Sequence, residues 1–537
     1  MNSVARALAV LTAIAVSLLA VSGAGGTSAQ TPKRGGTIAV TGLDEPACLN
    51  PLVAACLESS PLFMVEEVLL PAFAVDARFT FRPRLVSGVD VSHQAPYTLT
   101  YHIRPEARWS DGVPVTAADF VFTHAVRLAR APSLSPDEQA QLHKVRRVGA
   151  VGSKTVRVTL REPFSGWQRL FSNVLPRHAL HGQDLSKIWV DRIDDPRTGN
   201  PIGSGPFLVE SFERGKTLTL VRNPRYWGPH LAWVDRLVLR FDVGFDNVVE
   251  SLRGDLDIAF RFPKATFAPL LKNPDFRVVS PPAAGYDHLA FRLGEGGSPA
   301  LRNPLIRQAL AYGIDRAAIS RAASGPERPL QSVMYLVQSP YQRANWARYR
   351  SRPALARSLL AQAGCRRGAD GIYFCAGRRL SLRFVTSAGI PPREAMLTTV
   401  QAQLRKIGVE VVPVYVPNPA FSTTFLTRGQ FDVALFGWLF DPDPAGAGPI
   451  YSCRGVDNYT GYCSRPVSRL LAQASRTLGP PAQARILNAA DRMIAADVPV
   501  LPLFQANPAN VVRTSVRGFV KLPLNPLADA ENWWLDH

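Results

Sequence analysis

The sequence predicts an α/β protein of two or three domains with a ligand site at the edge of a sheet. A chain of 537 residues is too long for one hydrophobic core. Strand-like and helix-like patterns alternate from Leu380 to Trp438 in the order β-α-β-α-β, which favours parallel strands. Asp441 follows and begins the first of two Asp-Pro pairs, which end the last strand. Ligands of α/β proteins bind outside the carboxyl ends of strands, so we expect the site there.

The α/β segment gives the clearest pattern of elements. Its predicted long helix has apolar residues on one face and is followed by Gly408, a residue type common at helix ends. The predicted elements are a strand at 380–386, a helix at 392–407, a strand at 409–416, a short helix at 420–428 and a strand at 431–438.

Two further helices are predicted from their first residues. Thr116 suits the N-cap position, and Asp119 stands where a capping box has its acidic partner. Asn303 followed by Pro304 is also typical of a helix start. Other strands are indicated at 37–41, 97–104, 218–222 and 237–241.

Composition indicates a globular chain and argues against a nucleic-acid partner. Hydrophobic residues make up 46% and charged residues 19%, which excludes a disordered chain. The formal net charge is +19, and only nine of the 61 basic residues are lysines. We interpret arginine as the generic surface cation of this chain, and a basic face for acidic ligands or anionic membranes is the alternative. Dense Lys/Arg blocks are missing, so we expect no nucleic acid among the partners.

The N-terminal stretch is typical of a secretory signal. Arg6 precedes an apolar run from Ala7 to Val21, and small residues before position 30 form an A-x-A-like cleavage site. The run is short for a membrane span. We expect a signal peptide at 1–29 and export across the cytoplasmic membrane to the periplasm or cell envelope, with an uncleaved anchor as the alternative. The first cysteine is Cys48, so we expect no lipoprotein anchor at its usual place.

The cysteines form three local pairs. Their separations are 8, 10 and 10 residues, and export places the chain where disulfides form. We expect three short disulfides, and metal ligation is the weaker interpretation because no C-x-x-C spacing occurs. The pairs are Cys48 with Cys56, Cys365 with Cys375, and Cys453 with Cys463.

Enzyme signatures are missing from the sequence. Neither G-x-S-x-G nor H-E-x-x-H occurs, which argues against a secreted hydrolase. We interpret His178 and His181 as surface residues rather than as metal ligands. We therefore expect a binding protein with no catalytic residues, no cofactor and no metal site.

Several segments, in their order along the chain, resemble one known family. A strand, an Asp-Gly turn and a Thr-capped helix match RPEARWSDGVPVTAADFVFTHAVRL, and a Gly-x-Gly-Pro-Phe return strand matches PIGSGPFLVESFERGKTLTLVRNPRYWG. Three later matches are NPLIRQALAYGIDRAAI, PALARSLLAQAG and ADRMIAADVPVLPLF. Together they resemble the extracellular solute-binding proteins of family 5, which bind peptides for ABC importers. The resemblance covers about Gly35 to Trp534.

This resemblance implies a fold and a division into domains. The fold is α/β, periplasmic-binding-protein-like of type II (cluster C), with two lobes of mixed sheets, an extra domain and a cleft that closes about a hinge. Domain I is discontinuous and comprises 30–75, 201–283 and 499–537. Domain II is 76–200 and domain III is 284–498, and the ligand is held between domains I and III.

The resemblance also implies ligand-binding residues. Dipeptide-binding members have Gly-Trp-x-x-Asp before a cysteine pair, and their aspartate binds the ligand's α-ammonium group. Asp441 is the matching residue, Trp438 stands beside it, and we place Phe440 and Tyr286 at the same site. For Tyr286 the alternative is a core or surface residue without ligand contact. The alternative is that Asp441 and Asp443 only form turns before their prolines.

One expected feature of dipeptide binders has no clear counterpart here. The arginine that holds the ligand carboxylate is missing from its usual place, which Ser387 occupies, with Arg393 six residues later. The ligand is therefore a peptide or another small solute, such as an opine, a metal chelate or an oligosaccharide. The implied partners are an ABC permease and its ATPase, the protein is expected to be a monomer, and a sensor or chaperone on the same scaffold is the alternative.

Overall fold

The computed structural model describes most of the chain beyond the expected signal peptide. The signal expected at 1–29 lies outside the described residues. The described residues are 31–53, 56, 62–130, 134, 136–262, 264–280, 282–323, 325–417, 420–443, 446–520 and 522–536.

The strands of the described residues are numbered in chain order. They are β1 (Thr37–Thr41), β2 (Phe73–Val75), β3 (Phe81–Pro83), β4 (Val86–Val91), β5 (Thr98–Ile103), β6 (Val145–Gly152), β7 (Thr155–Leu160), β8 (Phe207–Glu213), β9 (Thr217–Arg222), β10 (Arg236–Arg240), β11 (Ile258–Phe262), β12 (Phe276–Val279), β13 (Gly285–Phe291), β14 (Arg366–Arg367), β15 (Tyr373–Cys375), β16 (Arg378–Arg379), β17 (Ser381–Ser387), β18 (Glu410–Val416), β19 (Val433–Leu439), β20 (Val500–Gln505), β21 (Ala509–Arg513), β22 (Val516–Arg517) and β23 (Trp534–Leu535).

The helices are numbered in the same way. The α-helices are α1 (Leu62–Glu66), α2 (Ala117–Ala129), α3 (Pro136–His143), α4 (Arg177–Leu180), α5 (Val248–Arg253), α6 (Pro304–Gly313), α7 (Arg316–Ala323), α8 (Pro353–Gln362), α9 (Pro391–Lys406), α10 (Ala447–Tyr451), α11 (Arg465–Ser475) and α12 (Pro480–Asp497). Short 3-10 helices span Ser165–Arg169, Lys264–Leu270, Pro299–Arg302 and Ala530–Asn532, and a π-helical turn spans Phe421–Leu426.

A seven-stranded mixed sheet collects strands from distant parts of the chain. Its order is β12-β21-β11-β1-β10-β9-β8, in which β1 is parallel to β10 and β11 and the other pairs are antiparallel. Ile38 and Val40 of β1 are fully buried, as expected of a central strand. The sheet therefore joins the N-terminal strand to a middle segment and to the C-terminal region.

A four-stranded antiparallel sheet has the order β4-β5-β7-β6, and helix α2 contacts β6 and β7. The backbone amide of Thr116 donates to Asp119 Oδ2 at 2.7 Å, and the predicted capping box is confirmed. Phe120 of α2 is fully buried against Tyr101 and Phe171. The start of α2 and its apolar face together fix this helix on the sheet.

A five-stranded mixed sheet has the order β18-β17-β19-β13-β20. β17 is parallel to both β18 and β19, so the predicted β-α-β-α-β order with parallel strands is confirmed. A short helical segment lies where one was predicted at 420–428, and its turn Phe421–Leu426 is π-helical. The predicted start of α6 is confirmed, because the Asn303 side chain accepts a hydrogen bond from the Leu305 amide at 3.0 Å.

Strand β20 follows directly after the expected boundary between domain III and the last segment of domain I. The expected bounds assign residues from 499 onward to domain I, whereas β20 pairs with β13 in the five-stranded sheet. All six residues of β20 are buried, although β20 is an edge strand of that sheet. The rest of the division into domains stays a prediction. Within the described part of the chain, the helices are too short or too polar to cross a bilayer.

Candidate functional site

Strands β13 and β19 place two aromatic side chains next to each other at the end of the five-stranded sheet. β19 is buried from Val433 to Phe436 and becomes accessible at Gly437. Tyr286 of β13 is the register partner of Trp438 of β19. Because paired residues point to the same face of a sheet, Tyr286 and Trp438 lie side by side.

Tyr286 and Trp438 form part of the wall of a cavity of about 60 Å³. Phe440 and Asp441 line the same cavity. The structure thus brings together the four residues singled out in the sequence, and their contact with a ligand stays a prediction. The wall is mostly aromatic and aliphatic, and its other members include Met334, Tyr335, Asp443, Ile450, Tyr451 and Leu487.

The indole of Trp438 is held by two nearly parallel rings. Tyr459 stacks on it with centroids 5.8 Å apart and an interplanar angle of 9°, and His288 lies at 6.3 Å and 14°. Phe440 meets Phe79 edge-on at 5.2 Å, so a residue from the N-terminal half of the chain contacts the cavity wall. Offset and edge-to-face contacts of this kind fix ring orientation, and the aromatic wall is consequently preorganised.

His288 contributes a neutral ring beneath the cavity wall. The residue is 1% exposed, and burial lowers its pKa to about 3, with the Arg393 charge acting in the same direction. An uncharged imidazole between Phe436 and Trp438 behaves as part of the aromatic packing. It is therefore a packing residue at neutral pH rather than a charged ligand contact.

Asp441 carries two interactions at the mouth of the cavity. Its Oδ1 lies 2.5 Å from Nη2 of Arg169, and the same oxygen accepts a hydrogen bond from the Asp443 amide at 2.7 Å. The second contact is the turn role that the sequence left open as an alternative. The Asp441 side chain is 40% exposed and is therefore accessible from solvent.

Asp443 is more deeply buried than Asp441. It is 3% exposed, and its Oδ1 accepts a hydrogen bond from Oγ of Ser165 at 3.1 Å. Ser165 and Arg169 belong to the same short 3-10 helix, which precedes α4. Two neighbouring aspartates at the end of β19 thus hold the two ends of one helix from the N-terminal half.

Glu66 at the end of α1 lies within the electrostatic field of the same arginine. Burial raises the pKa of Glu66 to about 7, while the Asn525 amide and the Arg169 guanidinium act to lower it. Asn525 Nδ2 donates to Glu66 Oε2 at 2.9 Å. Arg169 therefore contacts Asp441 of the cavity wall and also lies within electrostatic range of Glu66, which comes from a distant part of the chain.

A buried aspartate supports the opposite wall. Asp491 of α12 accepts hydrogen bonds from the Val333 amide at 3.2 Å, from Trp346 Nε1 at 2.9 Å and from Asn345 Nδ2 at 2.6 Å. Burial raises the pKa of Asp491, and it also raises the pKa of Tyr451 in the wall. These bonds fix the segment from Val333, whose side chains line the cavity, against α12.

Arg393 does not line the cavity. Its Nη2 lies 3.6 Å from Oδ1 of Asp287, and its Nη1 donates to Ser387 Oγ at 3.4 Å. Asp287 follows Tyr286 in β13 and so points to the opposite face of the sheet. Arg393 therefore takes no part in this cavity, and the arginine that was missing in the sequence has no substitute at 393.

The three expected disulfides are present, joining Cys48 to Cys56, Cys365 to Cys375 and Cys453 to Cys463. The last of them closes the loop that carries Tyr459. Nη1 of Arg292 donates to the Tyr459 carbonyl oxygen at 2.7 Å. The ring that stacks on Trp438 is thus held by a covalent link and by a hydrogen bond to its backbone.

His178 and His181, interpreted from the sequence as surface residues, each contact a neighbouring side chain. His178 Nε2 lies 2.7 Å from Asp111 Oδ2, and His181 packs near Phe122 with ring centroids 6.5 Å apart. Clusters of three or more metal-ligating side chains are absent from the described residues.

Several residues of the site are not indicated by the sequence. Among them, Tyr335 and Tyr451 line the cavity, Arg169 contacts Asp441, and Glu66 lies within electrostatic range of Arg169. Tyr451 lies shortly after Asp441 and before the last cysteine pair, which is the one local signal that points to it. The other three come from segments that no motif or spacing connects to Asp441.

Comparison with known proteins identifies a family model and full-length relatives. The model for bacterial extracellular solute-binding proteins, family 5 Middle, matches residues 80–459. The oligopeptide-binding protein OppA of Mycobacterium tuberculosis is 26% identical over 510 residues, which cover 91% of this chain and 83% of the relative. The oligopeptide-binding protein AppA of Bacillus subtilis is 24% identical, with 98% of each chain covered.

A similar fold is found among solved structures. The periplasmic EDTA-binding protein EppA superposes with a TM-score of 0.81 at 22% identity, covering 95% of this chain and 98% of that one. At this identity the likeness establishes the fold, and the expected α/β binding-protein architecture with mixed sheets is confirmed.

Proposed function

Since this chain belongs to the bacterial extracellular solute-binding proteins of family 5, we propose that it binds a peptide, or a similar small solute with a free amino end, in the cavity at the end of β19. The observation that supports this proposal is the position of Asp441. It is an accessible carboxylate at the mouth of an aromatic cavity, directly after a strand end.

The chemistry of the wall fits an amine with an adjoining apolar group. An ammonium group removed from water needs a paired carboxylate, and Asp441 offers one. Tyr286, Trp438 and Phe440 offer apolar surface next to that carboxylate. The cavity is small, at about 60 Å³, so we infer that most of a bound peptide would lie outside it.

The far end of the ligand has no assigned partner. Arg393 pairs with Asp287 on the other face of the sheet, which leaves no arginine of that segment for a ligand carboxylate. We therefore favour ligands recognised by their amino end, with length left open. A carboxylate-rich chelate is the second candidate, because the relative EppA is named as an EDTA-binding protein.

The protein is proposed to act as a monomeric, extracytoplasmic binding component of an ABC importer. It would close its cleft on the ligand and deliver it to a membrane permease that works with an ATPase. Family membership supports this role. The role requires ligand binding and a hinge motion of the protein.

The amino-end assignment is tested by Asp441→Asn. We expect this change to weaken the binding of unmodified tri- to pentapeptides by roughly tenfold, or about 1.4 kcal/mol, because it removes the charge that faces the ammonium group. Isothermal titration calorimetry measures the affinity. Asp246→Asn is the matched control, since it removes the same charge from an exposed site remote from the cavity. Equal affinities of the native protein and Asp441→Asn would refute the assignment.

A further inference from the structure

One cation of the protein already contacts the carboxylate to which we assign the ligand's amino end. Arg169 Nη2 lies 2.5 Å from Asp441 Oδ1, and the two side chains are 35% and 40% exposed. Arg169 ends the 3-10 helix Ser165–Arg169, which is far from Asp441 in sequence. The pair therefore forms at an accessible place, where a ligand and Arg169 meet the same carboxylate.

The backbone around Arg169 is fixed close to the end of β19. Ser165 Oγ donates to Asp443 Oδ1 at 3.1 Å, and a Cβ atom at Gly166 would lie 2.1 Å from Asp443 Oδ2. Tyr101 Oη donates to the Trp167 carbonyl oxygen at 3.0 Å. Glycine at 166 permits this close approach, and the result is that the Arg169 side chain starts beside Asp441.

A second carboxyl group is available to Arg169. The Arg169 guanidinium is among the groups that act to lower the pKa of Glu66, so it lies within electrostatic range of that side chain. A guanidinium displaced from Asp441 therefore stays within electrostatic range of a second carboxyl group, whose ionised form it favours.

We propose that Arg169 is a specificity-determining residue of this site, because its guanidinium occupies the side of Asp441 that a ligand's ammonium group would take. Binding of a free amino end then requires Arg169 to move or two cations to share one carboxylate. Ligands with a blocked amino end avoid this competition. Arg169 consequently reduces the preference for free over blocked amino ends. The inference rests on the proposed function, which assigns Asp441 to the ligand.

A neighbouring ion pair supplies a matched control. Arg476 Nη2 lies 3.2 Å from Glu162 Oε2, which joins the same two parts of the chain, and neither residue lines the cavity. Its side chains are 65% and 41% exposed. A substitution there removes an arginine and a contact between these parts without changing the charge at Asp441.

The test compares Arg169→Gln, Arg169→Lys and Arg476→Gln with the native protein. Each is mixed with an equimolar library of tri- to pentapeptides, half of it N-acetylated, and native mass spectrometry measures the ratio of free to acetylated peptide bound. We expect Arg169→Gln to raise this ratio about fivefold, the size expected for loss of a half-exposed competing ion pair. Arg169→Lys keeps the competing charge and retains the native ratio, as does Arg476→Gln.

Two results would overturn the inference. One is an unchanged ratio in Arg169→Gln, and the other is an equal rise in Arg476→Gln, which would point to a general loosening of the closed form. Asp441→Asn, measured in the same way, separates the two proposals. If it abolishes the preference for free peptides while Arg169→Gln changes nothing, only the role of Arg169 fails. If Asp441→Asn keeps the native ratio, or the native protein binds neither peptide form, the proposed function fails and the role of Arg169 with it.

Discussion

Asp441 is a residue whose position could be predicted from the sequence, whereas its ion pair could not. The strand end, the Asp-Pro pair and the family motif single it out, and the structure places it at the cavity mouth. Its contact with Arg169 is invisible in the sequence, because an ion pair between distant segments leaves no pattern in spacing or composition. The sequence thus predicts a carboxylate that the structure places in the wall of the cavity, whereas the charges around this carboxylate depend on tertiary contacts.

Glu66 yields a prediction about pH at the same scale. Its folded-state pKa of about 7 lies above the ordinary value of 4.5, so its protonated form favours the folded state. This contribution is fully present below pH 4.5 and is lost as the pH rises through 7. Glu66→Gln cannot ionise and avoids the loss. We therefore expect Glu66→Gln to be more stable relative to the native protein at pH 8 than at pH 5.5, so that the free energy of unfolding of the variant minus that of the native protein is larger at pH 8.

Chemical denaturation at these two pH values measures the difference. Glu250→Gln serves as the control, since Glu250 has a 72% exposed side chain and forms a surface ion pair with Arg253. The difference in free energy of unfolding between Glu250→Gln and the native protein should be the same at pH 5.5 and at pH 8. If the difference in free energy of unfolding between Glu66→Gln and the native protein were also the same at both pH values, the raised pKa of Glu66 would be contradicted.

Among the secondary-structure elements, those with the strongest sequence patterns were predicted correctly. The parallel strands β17, β18 and β19 and the capped starts of α2 and α6 follow the sequence within a few residues, because hydrophobic period and cap chemistry are local. The π-helical form of the turn at Phe421–Leu426 was not predicted, since local pattern does not distinguish a π-helical turn from an α-helix. Strand β20 shows a similar limit, since its buried side chains indicate a strand and say nothing of its partner, which is β13.

Two of the disulfide loops allow a prediction about stability. Cys453–Cys463 and Cys365–Cys375 close loops of equal length, with a sequence separation of 10 in each case. Removing either pair by double alanine substitution should therefore cost a similar amount of stability, about 2–3 kcal/mol in the chain-entropy model. Only the first loop carries Tyr459, which stacks on Trp438.

Ligand affinity should therefore separate the two variants. We expect Cys453→Ala with Cys463→Ala to weaken peptide binding severalfold, while Cys365→Ala with Cys375→Ala keeps the native affinity in calorimetry at a temperature where both are folded. Equal affinities in the two variants would show that the Tyr459 loop does not support the site.

The whole molecule is organised by contacts between parts that are far apart in the chain. The seven-stranded sheet joins β1 to strands from the middle and the C-terminal region, and Arg169 contacts Asp441 just after β19. Periodicity and caps are local properties, and they do not state which sheet edges and helix ends come together. Family resemblance supplied that arrangement in outline, whereas the cavity wall from Val333 to Tyr335 and the contacts at its mouth required the structure.

The central claim is that the cavity at the end of β19 holds the amino end of the ligand. A crystal structure of the protein with a bound peptide, selected from the tri- to pentapeptide library, tests it most directly. We expect the peptide nitrogen within about 3 Å of an Asp441 carboxylate oxygen, the first side chain against Tyr286 and Trp438, and Arg169 shifted away from Asp441. A peptide bound elsewhere, or one bound with its carboxyl end toward Asp441, would contradict the claim.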